Sequence, residues 1–368
     1  MPLPSLPTRS RANAVSPVDL GTSIRVAARS AAGESLRGRL PAWATAPQHW
    51  RCFDALVSVA IAAAIAALIV VAGQKGIGEW VDEANYEIMF ESIVDDGWLE
   101  ILRTRPDPLY GLLSKLAIAL GLSFSGFVFV VATITIAIKQ RALRAATSDP
   151  TALFVLYLSY VFWLHEYTQI RAALAIALAL HGIYIARTTR PIWFVAGALI
   201  HASVAVIGAG YYALRYPKLG FAAGCLGVIA LALAIYFDYF DPFSIDRINI
   251  YVSLIDMDIF SEINLLAPMP ILQGCILLRC LGLRHPLRST GFMEYMFSGV
   301  GLVSFYALSF LPPVAFRFYE LFLPFFLILL SRVWKRTPVL MFLTTLYFAS
   351  GLKTTFIGAG SLLFPDGG

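Results

Sequence analysis

The chain has 368 residues, of which 58% are hydrophobic and only 14% charged, with a mean hydropathy of +0.73 and a formal net charge of +5. A water-soluble globular domain carries about 25% charged residues, so composition excludes that class and points to a membrane protein. The positive surplus is not a nucleic-acid signal, because Arg9, Arg11, Arg25, Arg29, Arg37, Arg39 and Arg51 crowd the N-terminal tail against only Asp19 and Glu34.

Residues 1–50, rich in Ser, Pro, Ala and Arg, read as a disordered basic tail. The positive-inside rule places that tail in the cytoplasm. No cleavable leader is expected, since the first apolar run begins only near residue 54. Residues 51–368 read as an all-α polytopic membrane domain. Apolar runs fall near 54–73, 108–122, 124–138, 151–164, 170–186, 191–210, 220–237, 265–283, 291–311, 318–331 and 338–352. At about 20 apolar residues per crossing they give about ten membrane helices, some short or re-entrant. Of the 23 acids, 15 lie in two segments, 74–107 and 238–265. These are read as long outer loops, because Arg279, Arg284 and Arg288, and later Arg332, Lys335 and Arg336, mark the cytoplasmic side. No internal repeat is evident. Cys52, Cys225, Cys275 and Cys280 lack metal or redox spacing and read as packing residues.

Asp82, Tyr86 and Phe90 recur every four residues after Gly76-Ile77-Gly78 and so share one helical face. The segment 82–98 suits a surface helix, with Asp82 either its N-cap or a functional acid. Asp107 precedes Pro108, as Asp149 precedes Pro150 and Asp241 precedes Pro242. Each reads as an N-cap with proline at the first helical position, and Asp107 stays equally open to a binding role.

Arg171 opens the run Ala172–Leu180 directly after Glu166-Tyr167-Thr168-Gln169. A cation at that depth costs about 3 kcal/mol, so it faces a cavity, a partner or an anion such as a lipid phosphate. The flanking runs 151–164 and 172–186 are short, which fits a broken helix with its junction inside the bilayer. His201 lies in the middle of the apolar run 191–210, and is expected within a helix, either bonded to a neighbour or functional. His181 is read as structural. Pro312-Pro313 is expected to stop one helix, so that Arg317 opens the next and adds its charge to free N–H groups. Glu320 is a candidate partner for Arg317, and Arg247 in the second acidic loop is a further basic candidate. No phosphate-binding glycine loop, dinucleotide motif or His/Cys metal spacing is visible.

Taken in order, Gly76-Ile77-Gly78, Asp82-x3-Tyr86-x3-Phe90, Asp107, Ile170-Arg171-x-x-Leu174-Ala175, Ala198-x-x-His201-x-Ser203 and Phe316-Arg317-Phe318 resemble the EpsG-like family of Wzy-type polymerases for exopolysaccharide and O-antigen. The similarity covers about residues 54–335. The family pattern has Gln after the arginine, where this chain has Ala172. The resemblance implies a bacterial inner-membrane glycosyltransferase with its active site facing the periplasm. Its substrates would be undecaprenyl-diphosphate-linked glycans in membrane lipid, with a chain-length regulator and a flippase as pathway partners, no nucleic acid and no metal. Arg171 and Arg317 would hold the diphosphate together, helped by Tyr86, Asp107 and Arg247. Asp82 or His201 would serve as base. A transferase using a lipid-linked sugar, an O-antigen ligase and, in another class, a lipid-linked oligosaccharide flippase remain alternatives.

Overall fold

The computed structural model describes residues 48–74, 83–186, 188–218, 263–283 and 291–357, and all regular structure among them is helical. The N-terminal helices are α1 (Gln48–Gly73), α2 (Glu83–Glu91), α3 (Trp98–Thr104), α4 (Pro108–Ala119) and α5 (Phe124–Ala146). Next come α6 (Pro150–Ser159), a π-helical turn (Trp163–Thr168), α7 (Ile170–Tyr184), α8 (Arg190–Ile200), a 3-10 turn (Ala202–Val204) and α9 (Ala205–Arg215). The last group is α10 (Pro268–Leu281), α11 (Phe292–Ala307), α12 (Pro312–Val333) and α13 (Pro338–Phe356). The chain divides into two units, 1–64 and 65–368. The described part of the first is the beginning of α1, and the second holds the other helices.

Among the described residues, three helices are long and apolar enough to cross a membrane: α5, α12 and α13. Six further apolar stretches are shorter: Val59–Gly73 in α1, and α4, α6, α7, α8 and α10. At 22 residues α12 is about 33 Å long, close to the hydrocarbon thickness of a bilayer.

The core is built on α12 and α7. Every residue of α12 from Leu321 to Ser331 is buried, as is nearly all of α7. The helices pack mainly in pairs, α11 on α12, α5 on α7 and α8 on α7. Small residues set the spacing. A Cβ on Gly301 would meet the Cβ of Phe322 at 2.8 Å, so α11 lies against α12 at a distance only glycine permits. A Cβ on Gly197 would meet the carbonyl oxygen of Ala175 at 3.0 Å, which seats α8 on α7 just before His201.

The structure departs from the sequence reading at several helix ends. The run 151–164 breaks at Tyr160. The carbonyls released there find donors: Trp163 Nε1 bonds Leu158 O at 2.9 Å and Thr355 Oγ1 bonds Ser159 O at 2.9 Å. A break in an apolar setting is tolerable only with such replacements. The run 191–210 also breaks. α8 ends at Ile200, and His201 is extended at φ −155°, ψ 109°, so this residue sits at a helix break and not within a helix. Both halves of the run are apolar, so hydropathy alone conceals the interruption. Pro312 and Pro313 begin α12; they do not end the preceding helix, and Arg317 lies in its second turn. Proline lacks an N–H, is at home in the first helical turn and does not mark a stop there. The segment 74–107, expected as a loop, carries α2 and α3, with Tyr86 and Phe90 buried on one face of α2. The expected loop 238–265 lies outside the described residues except for 263–265, and so do Asp82 and Arg247.

Candidate functional site at the broken helices

Two groups of polar side chains meet at the start of α7, and they lie on different faces of it. At 100° per residue, Gln169, Ala172 and Ile176 form one face, whereas Arg171, Leu174 and Leu178 form the nearly opposite one.

The first face borders a small cleft lined by His165, Gln169, Ala172, Ile176, His201, Ser203, Arg317, Glu320 and Leu321. The π-helical turn supplies His165, the break after α8 supplies His201 and Ser203, and one face of α12 supplies Arg317, Glu320 and Leu321. Gln169 Nε2 donates to Glu320 Oε2 at 3.0 Å, tying α7 to α12. Pro324 within α12 has no N–H, so the Glu320 carbonyl lacks its usual helical donor. The His165 ring lies against that carbonyl. His201 and Arg317, chosen from sequence, are therefore brought together. Arg317 is not at a helix terminus, so the free N–H groups of a helix start do not reinforce its charge.

The second face holds Arg171. Its Nη1 donates to Asp107 Oδ2 at 2.5 Å, and the guanidinium stands 5.6 Å from the centroid of the Tyr86 ring. Met89 Sδ lies 3.6 Å from Nη1. The Arg171 Nε is buried without a hydrogen-bond partner among the described residues. Asp107 is buried, and its side chain does not cap α4. Asp149, with nearly the same backbone angles, does cap α6, accepting from Ala152 N at 3.1 Å. The Asp107 carboxylate is thus turned away from the helix it precedes and toward Arg171. Arg171, Asp107 and Tyr86, each chosen from sequence, are brought together here. Arg171 is not among the residues that line the Arg317 cleft, and the face of α7 that carries it is not the face bordering that cleft.

Behind the π-helical turn lies an ion pair invisible to the sequence reading. Lys139 Nζ and Glu166 Oε1 are hydrogen-bonded with both side chains fully buried. The Lys139 ammonium also lies 5.9 Å from the Tyr157 ring centroid. The pair fixes the turn to α5, while the neighbouring His165 and Gln169 point to the cleft. The available signal was weak: Lys139 precedes Arg141 and Arg144 and resembled the cationic end of a span. The helix instead continues to Ala146. His181 packs against Trp193 with ring centroids 4.4 Å apart and the ring planes tilted by 52°.

An all-helical bundle with broken apolar helices and charged groups at the breaks defines a polytopic membrane protein whose interior site is polar. The EpsG family model matches residues 59–365, and the chain belongs to that family. No curated protein and no solved structure matches the chain.

Proposed function

We propose that this protein is a membrane glycan polymerase. It transfers a growing glycan from undecaprenyl diphosphate onto the sugar of an incoming lipid-linked repeat unit, at the periplasmic face of a bacterial inner membrane, within a domain of about ten spans. Membership of the EpsG family supports the reaction class. The observation that carries the reading is the convergence of two helix breaks on α12, which sets His165, His201, Arg317 and Glu320 around one cleft inside an apolar bundle. Charged groups kept at such depth serve a substrate more often than a fold.

The chemistry needs three things: a base for the acceptor hydroxyl, charge stabilisation for the departing diphosphate, and fixed orientation. The acceptor oxygen forms a bond to the anomeric carbon, the bond from that carbon to the phosphate oxygen breaks, and the hydroxyl proton passes to the base. His201, at the break and on the cleft, is the base within the described residues; Asp82 is the other candidate. Arg171 offers a planar donor fork suited to phosphate, and Asp107 and Tyr86 hold its plane. Because Arg171 stands on a face of α7 other than the one bordering the Arg317 cleft, each is assigned its own anionic group. The two substrates both carry a lipid diphosphate, and two such seats are what the reaction requires. The glycosyl–diphosphate bond supplies the driving force, so no nucleotide enters.

Purified protein incubated with a lipid-linked repeat unit, followed by gel separation of the products, tests this. A ladder of products is expected. A single added sugar would make the protein a simple transferase or ligase. No product, with movement of the lipid across a vesicle bilayer, would make it a flippase.

A further inference from the structure

The face of α7 that carries Arg171 continues into an apolar bay. Leu174 and Leu178, three and seven residues on, form part of its floor together with Phe127. Its rim is made by Leu120, Val130 and Ile134, all exposed, whereas the three floor residues are buried. Every lining side chain is apolar, and the cavity measures about 300 Å³. A cavity of about 150 Å³ lined by such residues holds benzene, so this bay accepts roughly two five-carbon units. Arg171 and Leu178 are seven residues apart, or about 10 Å along the helix.

Head and tail chemistry are therefore laid out along one helix face. A guanidinium, held by Asp107 and with an unpartnered Nε, lies on the same face of α7 as the two floor leucines, about two turns before the second of them. An anionic head group on Arg171 would place the first carbons of its own hydrocarbon chain in the bay. We infer that the bay between α4, α5 and α7 seats the phosphate-proximal part of the prenyl chain of one lipid-linked substrate, with its diphosphate on Arg171. This deepens the polymerase reading and rests on it for the identity of the lipid. Charge complementarity selects the occupant: a neutral hydrocarbon gains nothing from an arginine on the same helix face.

The test uses a photoactivatable farnesyl diphosphate analogue and, in parallel, a photoactivatable phosphatidylglycerol, each added to the full chain in nanodiscs. The labelled peptides are identified by mass spectrometry. The prenyl probe is expected to mark residues within 109–134 and 174–178, and undecaprenyl diphosphate is expected to compete it away, whereas excess phosphatidylglycerol is not. Leu178→Trp, which fills the floor, should lose the labelling. Val130→Trp, which narrows the exposed rim without disturbing buried packing, should lose it too, so a misfolded floor variant does not leave the question open. If phosphatidylglycerol labels the same residues equally and undecaprenyl diphosphate does not compete, the bay is an ordinary lipid seat and the inference is overturned. Labelling without any polymerising activity would remove the polymerase reading and leave the prenyl site standing. Polymerising activity without labelling of the bay would do the reverse.

Discussion

Asp107 and Asp149 show how little a local motif decides. Both precede proline, and both have φ −124° with ψ near 70°. One carboxylate caps its helix and the other leaves the cap to hold Arg171. This changes what Arg171→Ala reports. Removing the guanidinium takes the Arg171 counter-charge from a buried carboxylate, which costs up to about 3–5 kcal/mol, so the single variant should fold poorly. Arg171→Ala combined with Asp107→Asn should recover thermal stability in detergent yet show no ladder on the gel. Recovery of both would reduce the arginine to a packing role. Asp149 should behave differently. Burial pulls its carboxyl upward, but hydrogen bonds from Lys335, the Ala152 N–H and Trp334 outweigh this and hold it below the usual carboxylate range. A lowered folded value means stability that is present above the ordinary carboxylate range and lost as pH falls through the lowered value. Asp149→Asn, which keeps the cap but loses the charge, should therefore be less stable than the parent at neutral pH, by up to about 1 kcal/mol on the scale of an exposed ion pair. The gap between the two melting temperatures should close under strongly acidic conditions. A gap that persists there would assign the difference to something other than the charge.

At the scale of the element, the decisive pieces are the π-helical turn and the break after α8. The turn is held from behind by Lys139 and Glu166 and presents His165 and Gln169 in front. Lys139→Met leaves Glu166 buried without its counter-charge and should cost about 3–5 kcal/mol, whereas Lys139→Met with Glu166→Met removes both charges and should recover most of that loss. Thermal unfolding of the two singles and the double measures the coupling. If the pair positions the turn, the double variant stays slow in the gel assay although it is stable. A stable and fully active double would confine the pair to folding. The chain order of apolar runs was legible, as was the interruption before Arg171. The break at His201 was not, because Ala198–Val204 carries no proline or glycine, and the polar His201 and Ser203 within it do not mark a helix end. The start of α12 was not legible either, because a proline pair reads both as the stop of one helix and as the first turn of the next.

At the scale of the whole molecule, α12 sets an axis. Arg317 and Glu320 lie near its beginning, and Arg332, followed by Lys335, near its end. The far end has its own network: Arg332 Nη1 pairs with Glu294 Oε1 at 3.1 Å, Tyr184 OH donates to the same oxygen at 2.9 Å, and Lys335 pairs with Asp149 at 2.9 Å. A helix about 33 Å long, with polar groups near both ends, fits one crossing. In a background lacking the native cysteines, Phe310→Cys and Arg336→Cys should label from opposite sides of sealed vesicles with an impermeant thiol reagent. Position 336 should react from the cytoplasmic side, in line with the positive-inside rule. Labelling of both from one side would mean that α12 does not cross, and would remove the periplasmic assignment of the cleft.

Composition was enough for the class, because 58% hydrophobic residues in separated apolar runs, with few charges, is the pattern of a membrane protein and not of a soluble domain. The sequence also marked the family, through residues whose order survives without any knowledge of contacts. It singled out Arg171, His201 and Arg317, since a charged or titratable group next to apolar sequence is visible as an exception. Only the tertiary structure decided how these are grouped. Which face of α7 a residue occupies depends on where the helix starts, and that start follows a π-helical turn no periodicity marks. The partner of Arg171 lies 64 residues away on another helix, and that of Glu166 lies 27 residues away. Such pairings follow from packing, through contacts such as Gly197 on Ala175 and Gly301 on Phe322, and packing is not written in any single segment.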